Sequence, residues 1–515
     1  MRLALAAALA GALVACGSEP PPRLNVLLIS IDTLRADRLG CYGNVEWGGS
    51  PSPRLDELAQ KGVLLESLYA PRGQTHPSLA AMLTGKWPIT TGLRENGLDL
   101  PPQHKTLLQR LATAGYRTGA FLSNFGLDDP GDAWVWRGAE ATGDGYHGRF
   151  RQEAGAREGR FQSQWDERVE AAALAFLRGQ DGQRPFAAWV HFYDVHRPYN
   201  PPAGFDLYGR AGGLPAPLVA PGPDDGPALD AHLDAITLSD RPVSDSELRR
   251  IRGLYDGAVT ATDARVGRLL DALAEQGLLG STCVIVTADH GEELFDRNRY
   301  FYHGNSIYDG TLRIPFLVRA PGLPAGRRVT ALAQNIDLAP TLIELAGLPA
   351  APDMEGSSLG PLLAGTGDAP PRPFAYIEWQ DVLYAVIDGH HGYVHNPQHA
   401  HLLKEPFAPP PGQRATRGFA IDCFEGYDLA ADPRQQVNLL AGLPAATLIR
   451  TDGLPPELRP LREALDRWLA DPLHERSMSW PGLPEARIEK LSQLGYVEGV
   501  GERRGVLLRE PCAGG

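Results

Sequence analysis

Cysteine, positive charge and long apolar runs are all scarce in this 515-residue chain. Its five cysteines include no CxxC pair, so the sequence gives no argument for a disulfide or a cysteine metal site. The formal net charge of −13 argues against nucleic acid as a partner. It also means that an anionic substrate would have to be attracted by local cations and metal ions. No run approaches the roughly eighteen apolar residues of a membrane-spanning helix.

The first fifteen residues are predicted to be a signal peptide. Arg2 precedes an Ala/Leu run over 3–13, which ends in Leu13-Val-Ala-Cys16-Gly-Ser. This ending resembles a bacterial lipoprotein processing box, which implies cleavage before Cys16 and a lipid on its thiol. We therefore expect a cell-envelope protein held on the periplasmic side by its lipid, with residues 16–23 as a linker. A plain secretion signal is the alternative.

The rest of the chain alternates between apolar runs and helical periodicity. Strands are predicted at 24–31, 63–69, 117–122, 185–192, 282–287 and 314–319, and helices at 55–62, 77–85, 104–114, 163–178, 248–277 and 335–346. Continuous apolar runs are typical of strands that are buried on both faces. The alternation predicts an α/β fold with a mainly parallel central sheet and helices on both faces.

Acidic residues and histidines follow three of these predicted strands. Asp32 comes directly after the first strand, Asp194 and His196 follow the fourth, and Asp289 and His290 follow the fifth. Because sites in such sheets form at the carboxyl ends of strands, these side chains are expected to lie close together. Carboxylates and imidazoles without thiolates suit Zn, Mn, Mg or Ca.

A hydroxyl precedes an apolar helical run in Gly73-Gln-Thr-His-Pro-Ser-Leu-Ala-Ala-Met-Leu-Thr-Gly85. Pro77 suits the first turn of such a helix, since its missing N–H is unpaired there anyway. The helix dipole and the N–H groups would favour an anion over Thr75. Thr75 is therefore a candidate nucleophile for charged esters, although threonine is also a common helix cap.

Several motifs together make the chain resemble the sulfatase-like branch of the alkaline phosphatase superfamily, over roughly 24–440. Besides the Thr75 segment they are Ile31-Asp-Thr-Leu-Arg-Ala-Asp-Arg-Leu-Gly-Cys-Tyr-Gly43, Pro53-Arg-Leu-Asp-Glu-Leu-Ala-Gln-Lys-Gly62, His191-Phe-Tyr-Asp-Val-His-Arg-Pro-Tyr-Asn-Pro-Pro202, Tyr255-Asp-Gly-Ala-Val-Thr-Ala-Thr-Asp263, Thr287-Ala-Asp-His-Gly-Glu292, Tyr302-His-Gly-Asn-Ser-Ile-Tyr308 and Arg313-Ile-Pro. The resemblance implies a catalytic domain over 24–365, a small C-terminal α+β subdomain over 366–445 and a tail over 446–515 that packs on the domain. It also implies a metal-dependent hydrolase or transferase of sulfate or phosphate esters.

The resemblance also implies a role for individual residues. Asp32, Asp289 and His290 match the family's ligands for one or two divalent ions, and Thr75 matches the nucleophile that also contacts the metal. His196 and His303 are expected to hold a second ion or to bind the substrate and its leaving group. Candidate substrate contacts are Arg35, Arg72, Arg94 and Asp194, of which Asp194 could equally be structural.

The departures from the family pattern bear on the chemistry. Ordinary sulfatases carry a cysteine or serine at the Thr75 position, which is oxidised to formylglycine, and an arginine at the Leu79 position. Threonine would give a ketone, so no formylglycine is expected. A family lysine and histidine are replaced by Ala120 and Leu122, and one metal-binding aspartate is replaced by Thr33.

These departures favour phosphoryl chemistry, because a threonine sulfate lacks the route by which an aldehyde hydrate expels sulfate. The leading prediction is a hydrolase of phosphate mono- or diesters with a covalent Thr75 intermediate. A sulfatase without formylglycine, a phospho-head-group transferase and a non-catalytic metal- or glycan-binding protein stay open. The substrate would be a small-molecule, glycan or lipid ester, and the oligomeric state is not predicted.

Overall fold

The computed structural model describes residues 23–96, 98, 100–122, 164–210, 212–219, 221, 225–238, 242–298, 301–304, 306–367, 372–379, 383–396, 400–403, 422–471 and 506–509. The predicted signal peptide and Cys16 lie outside these ranges, so lipidation stays a prediction. Within the described ranges, no helix has both the length and the apolar character needed to cross a membrane.

Strands and helices alternate through most of the described chain. The strands are β1 (Asn25–Ile31), β2 (Val63–Tyr69), β3 (Arg117–Leu122), β4 (Phe186–Phe192), β5 (Thr282–Ala288), β6 (Glu293–Leu294), β7 (Phe301–Tyr302), β8 (Arg313–Arg319), β9 (Arg327–Gln334), β10 (Ala375–Trp379), β11 (Leu383–Ile387), β12 (His391–His395), β13 (Ala400–Leu403), β14 (Phe424–Asp428) and β15 (Val506–Arg509). The α-helices are α1 (Pro53–Lys61), α2 (Thr75–Thr84), α3 (Pro88–Thr91), α4 (Leu107–Thr113), α5 (Gln164–Arg178), α6 (Ala216–Val219), α7 (Gly226–Leu238), α8 (Asp245–Glu275), α9 (Asp309–Leu312), α10 (Leu338–Leu345), α11 (Gly360–Ala364), α12 (Ala445–Leu448) and α13 (Arg459–Leu469).

The central sheet has seven strands in the order β3-β4-β1-β5-β8-β2-β9. All neighbours run parallel except β8, which is antiparallel to both β5 and β2. Every residue of β1, β4 and β5 is buried, as the continuous apolar runs predict. The predicted α/β fold with a mainly parallel sheet is therefore confirmed.

The register of this sheet determines where the site lies. Ile31 at the end of β1 pairs with Phe192 at the end of β4 and with Ala288 at the end of β5. The residues that follow these three strands therefore leave the sheet at one edge. Asp32 and Asp289 are the first residues beyond two of those ends.

A second sheet, in the order β10-β11-β12-β14, is antiparallel and lies in the C-terminal part of the chain. Helix α13 packs on it, and Trp468 stacks on Tyr376 with ring centroids 5.2 Å apart. Trp87, directly before α3, meets both rings edge-on at 6.0 Å. The predicted small C-terminal α+β subdomain is confirmed, whereas its predicted bounds stay a prediction.

One covalent feature of this subdomain could not be read from cysteine spacing. Cys423 is disulfide-bonded. Cys41 and Cys283 are free thiols.

Candidate active site

Asp32, Asp289 and His290 lie together at the carboxyl edge of the central sheet. One ligand atom of each residue lies within 4.8 Å of the others, and all three side chains are buried. The three residues come from the ends of β1 and β5, which pair side by side. The structure thus brings together the three residues predicted to bind metal.

The Asp289 carboxylate has one satisfied oxygen and one that faces the site. Its Oδ1 accepts the backbone N–H groups of Thr33 at 3.2 Å and His290 at 2.8 Å. Its buried Oδ2 has no hydrogen-bond partner among the described residues. Burial and the nearby charge of Asp32 raise the pKa of Asp289 to about 6. A buried carboxylate oxygen without a partner is unfavourable unless a cation compensates it.

Thr33 helps to hold this geometry through its backbone. It adopts a left-handed φ of 56°, a region that β-branched residues rarely occupy. Its N–H donates to Asp289, and its carbonyl accepts the hydroxyl of Tyr255 at 2.7 Å. These two bonds offset the strain of that conformation.

Thr75 is the first residue of α2, and the residue at its N-cap is Gln74. The Thr75 hydroxyl therefore does not occupy the capping position. Its Oγ1 lies 3.3 Å from Nε2 of His290, and Nε2 of His290 lies 3.4 Å from Oδ2 of Asp289. Ligand atoms bound tetrahedrally at about 2.0–2.1 Å are roughly 3.3 Å apart, so these separations suit ligands of one divalent ion.

Three histidines face this site, and hydrogen bonds to backbone carbonyls determine the tautomers of two of them. Nδ1 of His290 lies 2.9 Å from the carbonyl of Gly291, and Nδ1 of His196 lies 2.6 Å from the carbonyl of Arg197. A carbonyl only accepts, so both Nδ1 atoms carry a proton and the neutral rings keep the lone pair on Nε2. The His303 ring centroid lies 4.5 Å from that of His290 and 4.8 Å from that of His196.

His303 is oriented by a buried carboxylate. Its Nδ1 lies 3.3 Å from both carboxylate oxygens of Glu292. Burial raises the pKa of Glu292 well above its usual range, although the charge of Arg197 opposes the shift. A carboxylate behind a histidine fixes the orientation of its ring.

His191 was not predicted as a site residue, and it lies beneath Asp32. Its Nε2 is 3.6 Å from Oδ2 of Asp32, and its Nδ1 is 2.8 Å from the Ser30 hydroxyl. Burial acts to lower the pKa of His191, but the hydrogen bond and charge of Asp32 outweigh it and raise that pKa. The sequence did contain a signal for this residue, because His191 is a histidine inside an otherwise apolar strand.

The predicted substrate contacts lie in ion pairs with other side chains. Arg35 pairs with Asp37 and Asp296 and donates to the Glu292 carbonyl. Asp194 accepts from Arg265 at 3.0 Å. These pairings give both residues a structural role, and their contact with a substrate stays a prediction.

The other two arginines share one glutamate of the small sheet. Arg94 pairs with Glu378 at 2.8 Å, and Arg72 lies 3.7 Å from the same carboxylate. Arg72 also pairs with Glu95 at 2.8 Å. Their charges are therefore neutralised by carboxylates within the protein.

Comparison with known proteins gives a consistent assignment. Residues 24–348 match the family model described as Sulfatase. Arylsulfatase A of Homo sapiens is 30% identical over 504 residues, which cover 86% of this chain and 87% of that protein. The multifunctional alkaline phosphatase superfamily protein PehA of Trinickia caryophylli is 26% identical, covering 83% of this chain and 93% of that protein. The solved structure of the phosphonate monoester hydrolase of Agrobacterium radiobacter shares the fold, with a TM-score of 0.60 and 22% identity over 88% of this chain and 96% of that chain.

Proposed function

The chain belongs to the sulfatase family, and we propose that it is a metal-dependent hydrolase of phosphate esters with Thr75 as the nucleophile. The observation that carries the proposal is the Thr75 hydroxyl at the start of α2, 3.3 Å from Nε2 of His290. His290 belongs to the group formed with Asp32 and Asp289. A nucleophile, a set of metal-type ligands and a helix N-terminus thus meet at one point.

Asp32, Asp289 and His290 would hold the divalent ion. When bound, the ion supplies positive charge that lowers the pKa of a neighbouring hydroxyl and stabilises negative charge on the ester oxygens. Thr75 gives up its proton to water and attacks phosphorus. The new bond joins Oγ1 to phosphorus, and the bond from phosphorus to the leaving oxygen breaks, so that an alcohol is released after it takes up a proton. Water then hydrolyses the Thr75 phosphoester and restores the hydroxyl.

Phosphorus suits this nucleophile better than sulfur. A threonine side chain cannot become the aldehyde hydrate that releases sulfate by collapsing to a carbonyl. Two further positions at which the family carries a lysine and a histidine are Ala120 and Leu122, both buried in β3. These positions supply no positive charge for a sulfate group.

The charge of the site favours a substrate with a single negative charge. Two carboxylates and one divalent ion sum to zero, and Arg35, Arg72 and Arg94 are each paired with carboxylates. A phosphodiester carries one negative charge near neutral pH, whereas a phosphate monoester carries close to two. We therefore favour a phosphodiester as the substrate class.

The second candidate is a sulfuric ester hydrolase that works without formylglycine. It is favoured by the 30% identity with arylsulfatase A, and a sulfate monoester also carries one negative charge. One relative is named a multifunctional alkaline phosphatase superfamily protein, which supports more than one activity for this chain as well. The lipoprotein processing box at Cys16 supports a place on the periplasmic side of a bacterial membrane.

The test is a panel of nitrophenyl phosphate monoesters, phosphodiesters and sulfates, each assayed with Zn, Mn, Mg and Ca. We expect diester turnover that EDTA abolishes and that Thr75→Ala eliminates. The matched control is Thr84→Ala, which removes a hydroxyl bonded to the Ala80 carbonyl at the far end of the same helix. Preferential turnover of the sulfate ester, or full activity of Thr75→Ala, would overturn the proposal. Transfer to an added alcohol in place of water would identify a transferase.

A further inference from the structure

Strand β10 of the small sheet contacts both loops that carry the predicted catalytic residues. The backbone N–H of Glu378 donates to the carbonyl of Pro71 at 3.2 Å, four residues before Thr75. The indole N–H of Trp379 donates to the carbonyl of Gly304 at 2.7 Å. Gly304 directly follows His303. Two adjacent residues of one strand therefore bond to the nucleophile loop and to the histidine loop.

The Glu378 side chain extends this contact through a buried ion-pair network. It accepts from Arg94 at 2.8 Å and lies 3.7 Å from Arg72. Arg72 donates to the Gln74 side-chain oxygen at 2.7 Å, and the Gln74 amide donates to Glu95 at 2.9 Å. Two guanidinium groups are thus balanced by two carboxylates. Gln74 is the N-cap of α2 and immediately precedes the predicted nucleophile.

The two loops also lie against each other. A Cβ atom built on Gly304 would lie 3.6 Å from Cγ of Gln74 and 3.7 Å from the carbonyl oxygen of Gly73. A Cβ atom on Gly73 would lie 3.5 Å from the backbone nitrogen of Gly304. Close-packed backbones transmit a shift of one loop to the other.

We propose that Glu378 and Trp379 are positioning residues that hold Thr75 and His303 at a fixed separation by bonding to their loops. The inference rests on the proposed function, from which the roles of Thr75 and His303 are taken. A displacement of about 1 Å at a reacting group can lower the rate by roughly 10²-fold. The small C-terminal sheet then contributes to catalysis through the alignment of the site, in addition to its own packing.

The test uses Trp379→Phe, which keeps an aromatic ring and removes the N–H donor, and Glu378→Gln, which keeps the size and removes the charge. The matched control is Arg372→Gln. Arg372 lies three residues before β10, pairs with the buried Asp337 and lies over the Trp87 ring. The control therefore removes a charged contact between the segment that leads into the small sheet and the catalytic domain.

We expect kcat for the best ester of the panel to fall by about tenfold or more in Trp379→Phe and Glu378→Gln, with KM within about threefold. Hydrogen exchange should become faster in segments 71–76 and 301–304 of both variants. Arg372→Gln should lower the thermal midpoint while kcat and the exchange of these two segments stay as in the wild type.

Unchanged exchange in both segments would overturn the inference, whichever ester the enzyme prefers. Unchanged kcat in the two variants, or an equal loss of kcat in Arg372→Gln, would also overturn it. A preference for sulfate esters would contradict the proposed function but not this inference. The exchange and kcat comparisons could then still be made with the preferred ester.

Discussion

Replacing Asp289 by asparagine should stabilise the metal-free protein and remove the stabilisation that metal provides. Asparagine keeps the Oδ1 acceptor for the N–H groups of Thr33 and His290. It removes a negative charge that lies buried beside Asp32. Burial and that neighbouring charge raise the pKa of Asp289 from its ordinary value of 3.8 to about 6.

The size of the effect follows from this shift. Because the pKa of Asp289 rises by about two, its ionised form destabilises the folded protein by about 3 kcal/mol above pH 6. The new Nδ2 group would be a donor near Nε2 of His290, which lies 3.4 Å from Oδ2 of Asp289 and is also contacted by the Thr75 hydroxyl, so its incomplete pairing costs about 1 kcal/mol. The net expectation is about 2 kcal/mol of added stability for metal-free Asp289→Asn at pH 8.

The sign of the pH dependence is also determined. Because the pKa is raised in the folded state, the stabilising contribution of the protonated Asp289 carboxyl is fully present below pH 3.8. It is lost as pH rises through about 6. The advantage of the asparagine variant should therefore shrink as pH falls from about 7 towards 4.

The assay is urea unfolding of EDTA-treated protein, followed by the same measurement with excess Zn or Mn. Wild type should gain about 4 kcal/mol at a metal concentration of roughly a thousand times Kd, and Asp289→Asn should gain almost nothing. Asp309→Asn is the matched control, because burial also raises the pKa of Asp309 to about 6, and Asp309 is not a member of the Asp32–Asp289–His290 group. It should keep the full response to metal. A metal-free Asp289→Asn that is less stable than wild type, or one that keeps the metal response, would refute the reasoning.

Three further predictions concern the same structure. Thr75→Ser should keep kcat within about tenfold of wild type in the nitrophenyl ester assay, because the hydroxyl of the proposed nucleophile remains. A loss as complete as that of an alanine variant would contradict this. Gly73→Ala would place a Cβ atom 2.5 Å from Cγ2 of Thr311 and should lower stability by about 1–3 kcal/mol in thermal unfolding, whereas Gly49→Ala meets no atom within 4 Å and should be neutral. Burial raises the pKa of Cys283 to about 12, so a maleimide at pH 8 should label this thiol only after unfolding, and rapid labelling of the native protein would refute its burial.

The sequence predicts the elements of the central sheet better than their arrangement. The strands predicted at 63–69 and 117–122 match β2 and β3 residue for residue. The direction of β8 could not be predicted, because a strand buried on both faces has the same apolar pattern whether it runs parallel or antiparallel. Strand β9, which lies at the edge of the sheet, was not predicted.

In the predicted site, too, the residues could be predicted better than the contacts of their side chains. Asp32, Asp289 and His290 could be grouped because they follow strand ends, and that rule depends only on local sequence. Arg94 was predicted as an anion contact, but in the structure it pairs with Glu378. The local sequence around Arg94 could not reveal this partner, because Glu378 is 284 residues away along the chain. Pairings of that kind arise from tertiary packing, which no spacing rule contains.

The tautomers of the histidines limit how the leaving group can be handled. Because Nδ1 of His290 and of His196 donates to a backbone carbonyl, each neutral ring presents a lone pair on Nε2. His303 directs Nδ1 at Glu292, so Nε2 is the nitrogen left for the site, but burial favours the protonated form of Glu292, which can donate to Nδ1, and the tautomer of His303 is not determined by this contact. Lone pairs bind cations or accept protons, whereas protonation of a departing alkoxide needs a donor. In their neutral form, His290 and His196 are therefore better suited to hold cations or to take a proton from the water that would hydrolyse the proposed Thr75 ester. Neither ring can then act as a general acid, which favours esters whose leaving group departs without a proton from these two histidines.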